Sequence, residues 1–221
     1  LIGLVAAGAP LLAASASASS APQQTPAPAA QHGGGAIPNM MGSEEIAMLL
    51  YPGFTALDLV GPQYFFAGLM GAKVHLVPNQ DTLDPVVSDT RLAIAPTRRL
   101  SDMTGKIDVI FVPGGSQGTL TAMEHAPTLE FLRSRSPDIR LKTSVCTGSL
   151  ILASAGILKG RRATSHWVAR DQLKLFGAAP TDERIVRDGD IITGAGVSAG
   201  LDMALSVVEA LRGRTYAQAL M

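Results

Sequence analysis

Hydrophobic residues fall in short continuous runs that turn-forming residues close, and helical patterns lie between the runs. Runs of this length and composition predict buried strands. The predicted strands are Glu45–Tyr51, Lys73–Val77, Asp108–Val112 and Thr143–Val145, with short extended pieces at 86–89 and 91–96. The predicted helices are Pro62–Leu69, Thr119–Arg135 with a break at Pro127, Gly148–Ala155, Trp167–Phe176 and Ser198–Leu211.

Alternation of continuous apolar strands with helices predicts an α/β fold in three layers, with a mainly parallel sheet covered on both faces. One hairpin is expected at 184–192, where Asp188-Gly189 is a strong turn signal. Ligands of such sheets bind at the carboxyl ends of the strands. Gly114, Gly115 and Cys146 all follow predicted strands, so we expect them to face one crevice.

Composition narrows the function classes. Of 221 residues, 47% are hydrophobic and the formal net charge is zero. A neutral chain is a poor nucleic-acid or membrane-surface binder, because both functions need clustered Lys and Arg. The four histidines lack the spacing of a helical metal site, and one Cys cannot form a thiolate cluster, so no metal is expected.

The first 43 residues carry no charged side chain. Residues 1–18, an apolar run followed by small residues, are typical of a secretory signal without its basic start. An uncleaved anchor or a disordered leader is the alternative. Residues 19–43, rich in Pro, Ala and Gln, predict a disordered linker, and residues 44–221 the folded domain. An exported, periplasmic or secreted, protein is therefore expected.

The segment Thr143–Leu150 places the single cysteine, Cys146, at the turn from a strand into a helix. Such a turn exposes a nucleophile, and the helix N-terminus lowers a thiol pKa and so favours thiolate. The alternative is a buried, inert thiol that fills the core. Gly114 and Gly115 are expected to form an anion hole with the Thr147 N–H, or else an ordinary tight turn.

Two further residues have open assignments. Asp58 precedes the predicted helix at Pro62, where a carboxylate either caps the helix or projects into the crevice as an acid–base group. His166, next to Trp167, is either an acid–base partner for the thiol or a packed, hydrogen-bonded histidine. The glycine pattern at 194–199 lacks the acidic residue that a dinucleotide site needs about 20 positions later, so no such cofactor is expected.

Five segments together resemble the ThiJ/PfpI superfamily, relatives of the class I glutamine amidotransferases. They are FTALDLVGP (54–62), DVIFVPGG (108–115), TSVCTGSL (143–150), RRATSHW (161–167) and RIVRDGDIITGAGVSAGLDMAL (184–205). Within the superfamily the chain is most similar to the isocyanide hydratases, which carry Asp rather than Glu at the position of Asp58.

The resemblance implies a flavodoxin-like sandwich, a homodimer, a small-molecule substrate and no cofactor. It implies Cys146 as nucleophile, Asp58 as acid–base group, and Thr147 as the residue that positions water or Asp58. The implied reaction adds water to an isocyanide through a Cys146 thioimidate and gives an N-substituted formamide. The hydratases continue past the last helix, so a truncated C-terminus is also expected.

Two other functions remain open from the sequence. Similar domains form the ligand-sensing half of AraC-type regulators, which also need a helix-turn-helix region after the domain. A redox or stress protein whose Cys146 oxidises to sulfenic acid is the other alternative.

Overall fold

The computed structural model describes residues 40–221, which belong to the larger of the two units into which the contacts divide the chain. The predicted signal peptide and most of the predicted linker lie outside the described residues. Within residues 40–221, no helix has the length and apolar character that crossing a bilayer requires.

A six-stranded sheet forms the centre of the domain, and its strands are ordered β2-β1-β5-β6-β10-β9. All neighbours pair in parallel except β9 and β10, which form the predicted antiparallel hairpin. The strands are β1 (Glu45–Leu50), β2 (Lys73–Pro78), β5 (Val109–Val112), β6 (Leu141–Val145), β9 (Ile185–Asp188) and β10 (Ile191–Gly194). Strands β5 and β6 are buried at every position, as continuous apolar runs covered on both faces must be.

Residues 40–221 contain six α-helices: α1 (Ala56–Ala67), α2 (Ser116–Glu124), α3 (Ala126–Arg135), α4 (Gly148–Ser154), α5 (Ala199–Arg212) and α6 (Arg214–Ala219). Helix α1 packs on α5, which contacts α6, whereas α4 contacts α2 and α3. Right-handed crossovers put these two groups on opposite faces, because the chain leaves β1 and β5 in opposite directions. The predicted three-layer, flavodoxin-like α/β fold is confirmed.

The strand order reverses between β1 and β5. From β1 the chain passes through α1 to β2 on one side, and from β5 through α2 and α3 to β6 on the other. The loops that leave the carboxyl ends of β1 and β5 therefore diverge and open a crevice between them.

Helix α1 corrects the predicted helix start at Pro62, because it begins six residues earlier and contains the proline in its interior. A proline there removes only the hydrogen bond to the carbonyl four residues before it, which is that of Asp58. Asp58 consequently lies in the first turn of α1 rather than in the loop before it.

Four smaller differences from the sequence prediction lie away from the sheet centre. The expected helix 119–135 is two helices that meet at His125, and the expected helix 167–176 is a 3₁₀ helix over Arg170–Phe176. The short strands β3 (Val86–Val87) and β4 (Ala93–Ile94) lie within the two predicted extended pieces and pair with each other, whereas the pair of β7 (Arg162–Ala163) and β8 (Ala179–Pro180) was not predicted. Helix α6 was not predicted.

Two residues near the end of the predicted linker, Met40 and Gly42, make hydrogen bonds to the domain. The Gly42 N–H donates to the Met70 carbonyl at 3.0 Å, and Arg212 Nη1 donates to the Met40 carbonyl at 3.1 Å. Arg212 also donates from Nε to Glu44 Oε1 at 2.7 Å in a buried ion pair. This pair ties the start of the domain to the end of α5.

Candidate active site

Cys146 and Thr147 connect β6 to α4, and the backbone φ of Cys146 is 57°. Left-handed φ values are unfavourable for residues with a Cβ, so the surrounding structure must hold this one in place. The Cys146 N–H donates to the Gly194 carbonyl at 3.0 Å, and the Cys146 carbonyl accepts from Ser165 Oγ at 3.0 Å. The predicted sharp turn is present, but Cys146 is only 6% exposed, so the turn does not expose the nucleophile as expected.

Asp58 points into the crevice and does not cap its own helix. Its side chain is fully buried, and Oδ2 accepts the Gly114 N–H at 3.1 Å. The other oxygen, Oδ1, has no hydrogen-bond partner among the described residues. The structure therefore supports the second of the two assignments that the sequence left open, a carboxyl group held ready beside the thiol.

Gly114 is the point at which the loops after β1, β5 and β6 converge. A methyl group at this residue would lie 2.7 Å from Asp58 Oδ2, 2.7 Å from Cys146 Cβ and 2.8 Å from the Thr147 nitrogen. Only glycine leaves room for these three groups to approach one another. The absence of a Cβ at Gly114 is thus what brings carboxyl group and thiol together.

Burial governs the ionisation of both groups. Burial raises the pKa of Asp58 to about 7, although the hydrogen bonds to Cys146 and Gly114 act in the opposite direction. Burial, followed by the negative charge of Asp58, raises the pKa of the Cys146 thiol to about 12. The predicted effect of the helix N-terminus is therefore outweighed, and near neutral pH the pair holds its proton on sulfur.

The predicted anion hole is not what the structure shows. The Gly114 N–H is taken by Asp58, and the Gly115 N–H donates to Thr147 Oγ1 at 3.0 Å. The Thr147 N–H acts on the Cys146 sulfur, where it lowers the thiol pKa. The two glycines serve close packing of the loops, and the Thr147 hydroxyl contacts the Thr119 hydroxyl at 2.8 Å.

His166 is half-buried beside Trp167, and the two ring centroids are 5.8 Å apart. The His166 ring packs against Gly196, and its Nδ1 accepts weakly from the Val168 N–H at 3.4 Å. It also lines a cavity of about 490 Å³ together with residues from 165–167, 182–184 and 195–199. These contacts fit the alternative of a packed, hydrogen-bonded histidine. None of them joins the His166 ring to the Cys146 thiol.

Three residues of the site were missed from the sequence: Ser165, Thr119 and Tyr51. Ser165 holds the Cys146 carbonyl, and its signal was its place beside His166 in a segment already singled out. Thr119 and Tyr51 lie behind Thr147, and neither stands in a recognisable motif. Among the described residues, no three His, Cys, Asp or Glu side chains cluster as a metal site would require.

A family model described as the DJ-1/PfpI family matches residues 44–210, which is most of the chain and all of the crevice. The chain belongs to the DJ-1/PfpI family. The family resemblance predicted from the five sequence segments is confirmed.

Individual relatives within the DJ-1/PfpI family differ in their roles. An isonitrile hydratase from Pseudomonas putida is 46% identical over 79% of this chain and 75% of its own. The protein DJ-1alpha from Drosophila melanogaster is 35% identical over 60% of this chain and 58% of its own. A solved ThiJ/PfpI family protein from Pseudomonas syringae is 50% identical, covers 90% of this chain and 80% of its own, and superposes with a TM-score of 0.80.

Proposed function

We propose that this protein is a cysteine-dependent isocyanide hydratase, which converts R–N≡C and water into an N-substituted formamide. The observation that carries the proposal is the meeting of a buried carboxyl group and a strained-turn cysteine above Gly114. The similarity to an isonitrile hydratase over most of both chains supports the choice of substrate.

The ionisation of the pair fits a base-assisted attack. Above a pH of about 7, Asp58 is a carboxylate beside a neutral thiol. Asp58 withdraws the thiol proton as Cys146 attacks, which avoids a free thiolate in a buried site. A carboxyl group with a pKa near 7 is well matched to take up and return one proton at neutral pH.

The proposed first step adds sulfur and a proton to the terminal carbon of the isocyanide. A carbon–sulfur bond forms, Asp58 passes the thiol proton to the same carbon, and the product is the thioimidate R–N=CH–S–Cys146. Asp58, ionised again, then deprotonates a water molecule that attacks this carbon. Nitrogen gains a proton, the carbon–sulfur bond breaks, and the formamide leaves while sulfur recovers its proton.

An isocyanide assay tests this proposal directly. We expect the protein to convert a bulky alkyl isocyanide into the corresponding formamide, followed by mass spectrometry of the product. The Cys146→Ala and Asp58→Asn variants should be inactive, whereas His166→Asn should retain most of its activity because His166 lies outside the thiol–carboxyl pair. Turnover that survives Cys146→Ala would falsify the covalent mechanism.

A redox-sensing or stress role, in which Cys146 is oxidised to sulfenic acid, is the second candidate, because Cys146 is a free cysteine at a strained turn. Sensor thiols are exposed and have low pKa values. Cys146 is buried and its pKa is raised, which speaks against fast oxidation. Rapid conversion of Cys146 to sulfenic acid by peroxide, without turnover of any isocyanide, would favour the sensor. Ligand binding without turnover would favour a sensing domain of the regulator type.

We also propose export and a homodimer. Export rests on the sequence of residues 1–18 alone, and a reporter fused after residue 43 tests it in a bacterial host.

The homodimer has support from an exposed apolar face on α1, in which residues three and four positions apart share one side of the helix. That face and its neighbour on α5 consist of Leu57, Val60, Tyr64 and Leu201. Light scattering of the wild type and Tyr64→Glu should show a dimer and a monomer respectively.

A further inference from the structure

The first turn of α1, which carries Asp58, is capped by a residue from another segment of the chain. Helix α1 begins at Ala56, and Thr55 before it makes no side-chain hydrogen bond to the helix. The acceptor is Asp89, in the connection between β3 and β4, whose Oδ1 accepts the Ala56 N–H at 3.2 Å. The first N–H groups of a helix have no partner inside it, so an outside acceptor of this kind stabilises the helix start.

Backbone hydrogen bonds fix the β3–β4 hairpin (86–94) against the chain that leads into α1. The Gly53 N–H donates to the Val87 carbonyl at 2.8 Å, and the Asp89 N–H donates to the Phe54 carbonyl at 2.9 Å. Asp89 therefore bonds the entering chain at two points, with its N–H at Phe54 and its carboxyl oxygen at Ala56. Two bonds from one residue fix the direction in which the chain enters the helix.

Gly114 holds the same segment from the loop after β5. Its carbonyl accepts the Thr55 N–H at 2.7 Å, and its N–H donates to Asp58 Oδ2 at 3.1 Å. The start of α1 thus has two anchors outside the helix, Asp89 and Gly114. Asp58 follows Ala56 in the first turn and is fully buried, so a shift of the helix start displaces its carboxyl group directly.

We propose that Asp89 is a positioning residue, which sets the place of the Asp58 carboxyl group beside the Cys146 thiol through the start of α1. Asp89 is itself exposed, so water can replace its carboxyl group as the partner of the Ala56 N–H and the core of the domain stays intact. What is lost without the carboxyl group is one anchor of the helix start. A displacement of about 1 Å in a catalytic group can cost on the order of 100-fold in rate, so a partial release of α1 should be measurable in turnover.

The charge of Asp89 gives this role a second signature. Burial raises the pKa of Asp58 most, the hydrogen bonds of its carboxyl group lower it, and the negative charge of Asp89 raises it. Of the other described groups beside Asp58, the Cys146 thiol and the Tyr51 phenol are neutral near pH 7, because burial raises both pKa values. Helix α5 meets α1 here through the uncharged Leu201. Removal of the Asp89 charge should therefore lower the Asp58 pKa.

Two substitutions at Asp89 separate the hydrogen bond from the charge. Asp89→Asn keeps an oxygen that accepts the Ala56 N–H and removes the charge, whereas Asp89→Ala removes both. We expect Asp89→Ala to lower kcat for an isocyanide about tenfold with KM within about twofold, because a misplaced acid–base group weakens the transition state and not substrate binding. Asp89→Asn should keep kcat at pH 8 within about threefold of the wild type. The control is Asp102→Ala, the same change as Asp89→Ala at another exposed aspartate, which should leave kcat unchanged.

The amide proton of Gly114 gives a second readout that needs no substrate. It is donated to the Asp58 carboxyl group, so its NMR chemical shift reports both the place of that group and its ionisation. The signal should titrate at about pH 7 in the wild type and should not titrate in Asp58→Asn. In Asp89→Asn we expect the midpoint at a lower pH with the full change in shift, and in Asp89→Ala a smaller change in shift. A cap with only a structural role would leave the midpoint of Asp89→Asn where the wild type has it.

The inference rests on the proposed function only for its kinetic part. A kcat of Asp89→Ala within about twofold of the wild type, or equal losses in Asp89→Asn and Asp89→Ala, overturns the positioning role, and so does an unmoved Gly114 midpoint in Asp89→Asn. Melting curves check that each variant is folded at the assay temperature. If the wild type turns over no isocyanide, the proposed function fails and the Gly114 titration alone decides the role of Asp89, which an undiminished change in shift in Asp89→Ala overturns.

Discussion

Replacing Asp58 by Asn removes a buried carboxyl group whose ionisation opposes folding. Its pKa rises from 3.8 in a free side chain to about 7 in the folded protein, chiefly through burial. A raised carboxyl pKa contributes stability that is fully present below the unfolded value and is lost as the pH rises through the folded value. The free energy of unfolding of the wild type should therefore fall between pH 4 and pH 7. That of Asp58→Asn should lack this fall, because the amide group does not titrate.

The magnitude follows from the linkage relation, in which each pH unit of the window is worth about 1.4 kcal/mol. Between pH 5 and pH 8, the unfolding free energy of the wild type should fall by about 3 kcal/mol relative to Asp58→Asn. Any packing or hydrogen-bond loss caused by the amide is independent of pH and cancels in this comparison. The prediction concerns the slope of the unfolding free energy against pH and not its absolute value.

Guanidinium unfolding at several pH values provides the assay, with intrinsic fluorescence of Trp167 or circular dichroism as the signal. The control is Asp171→Asn, the same substitution at a side chain that is 76% exposed. The unfolding free energy of Asp171→Asn should differ from that of the wild type by the same amount at every pH. A constant difference between Asp58→Asn and the wild type from pH 5 to pH 8 would refute the argument that burial holds the Asp58 pKa near 7.

Further expectations concern catalysis and packing. Turnover of an isocyanide should fall as the pH is lowered through about 7, because protonated Asp58 cannot accept the thiol proton; initial rates across this range measure it. Gly114→Ala should lower turnover by about 100-fold or more, because the added methyl group forces the Asp58 carboxyl group and the Cys146 turn out of place. Gly105→Ala should leave turnover unchanged, because its added methyl group meets no atom within 4 Å. Arg212→Met leaves Glu44 as an unpaired buried carboxylate and should cost about 3–5 kcal/mol in denaturant unfolding; a loss below about 1 kcal/mol, the range of surface ion pairs, would contradict this.

The sheet was predictable because its strands are short apolar runs that end at turn residues, a pattern that depends on the local sequence alone. The start of α1 was not, because Pro62 is also typical of a first helical turn. What places Pro62 inside the helix is the packing of α1 against α5, where the Pro62 ring lies close to Gly200. The 3₁₀ form of Arg170–Phe176 is likewise a matter of tertiary context.

The candidate site shows the same division. The turn at Cys146 followed from residue types at a strand end, whereas the sequence left open whether Asp58 caps its helix or projects into the crevice. The direction of the thiol pKa did not follow from the sequence, because it depends on how deeply the sulfur is buried and on which N–H groups are already occupied. A sequence pattern identifies the hydrogen-bond donors near a site, but only the folded chain shows which acceptors they bond.

The intact mass of the protein during turnover tests the central claim most directly. Acid quenching within the first turnovers should trap a species heavier than the free protein by the mass of one isocyanide, and peptide mapping should place the added mass on Cys146. Cys146→Ala should show no such species under the same conditions. Formamide production by the wild type with no adduct at any quenching time, or an adduct on another residue, would contradict the account.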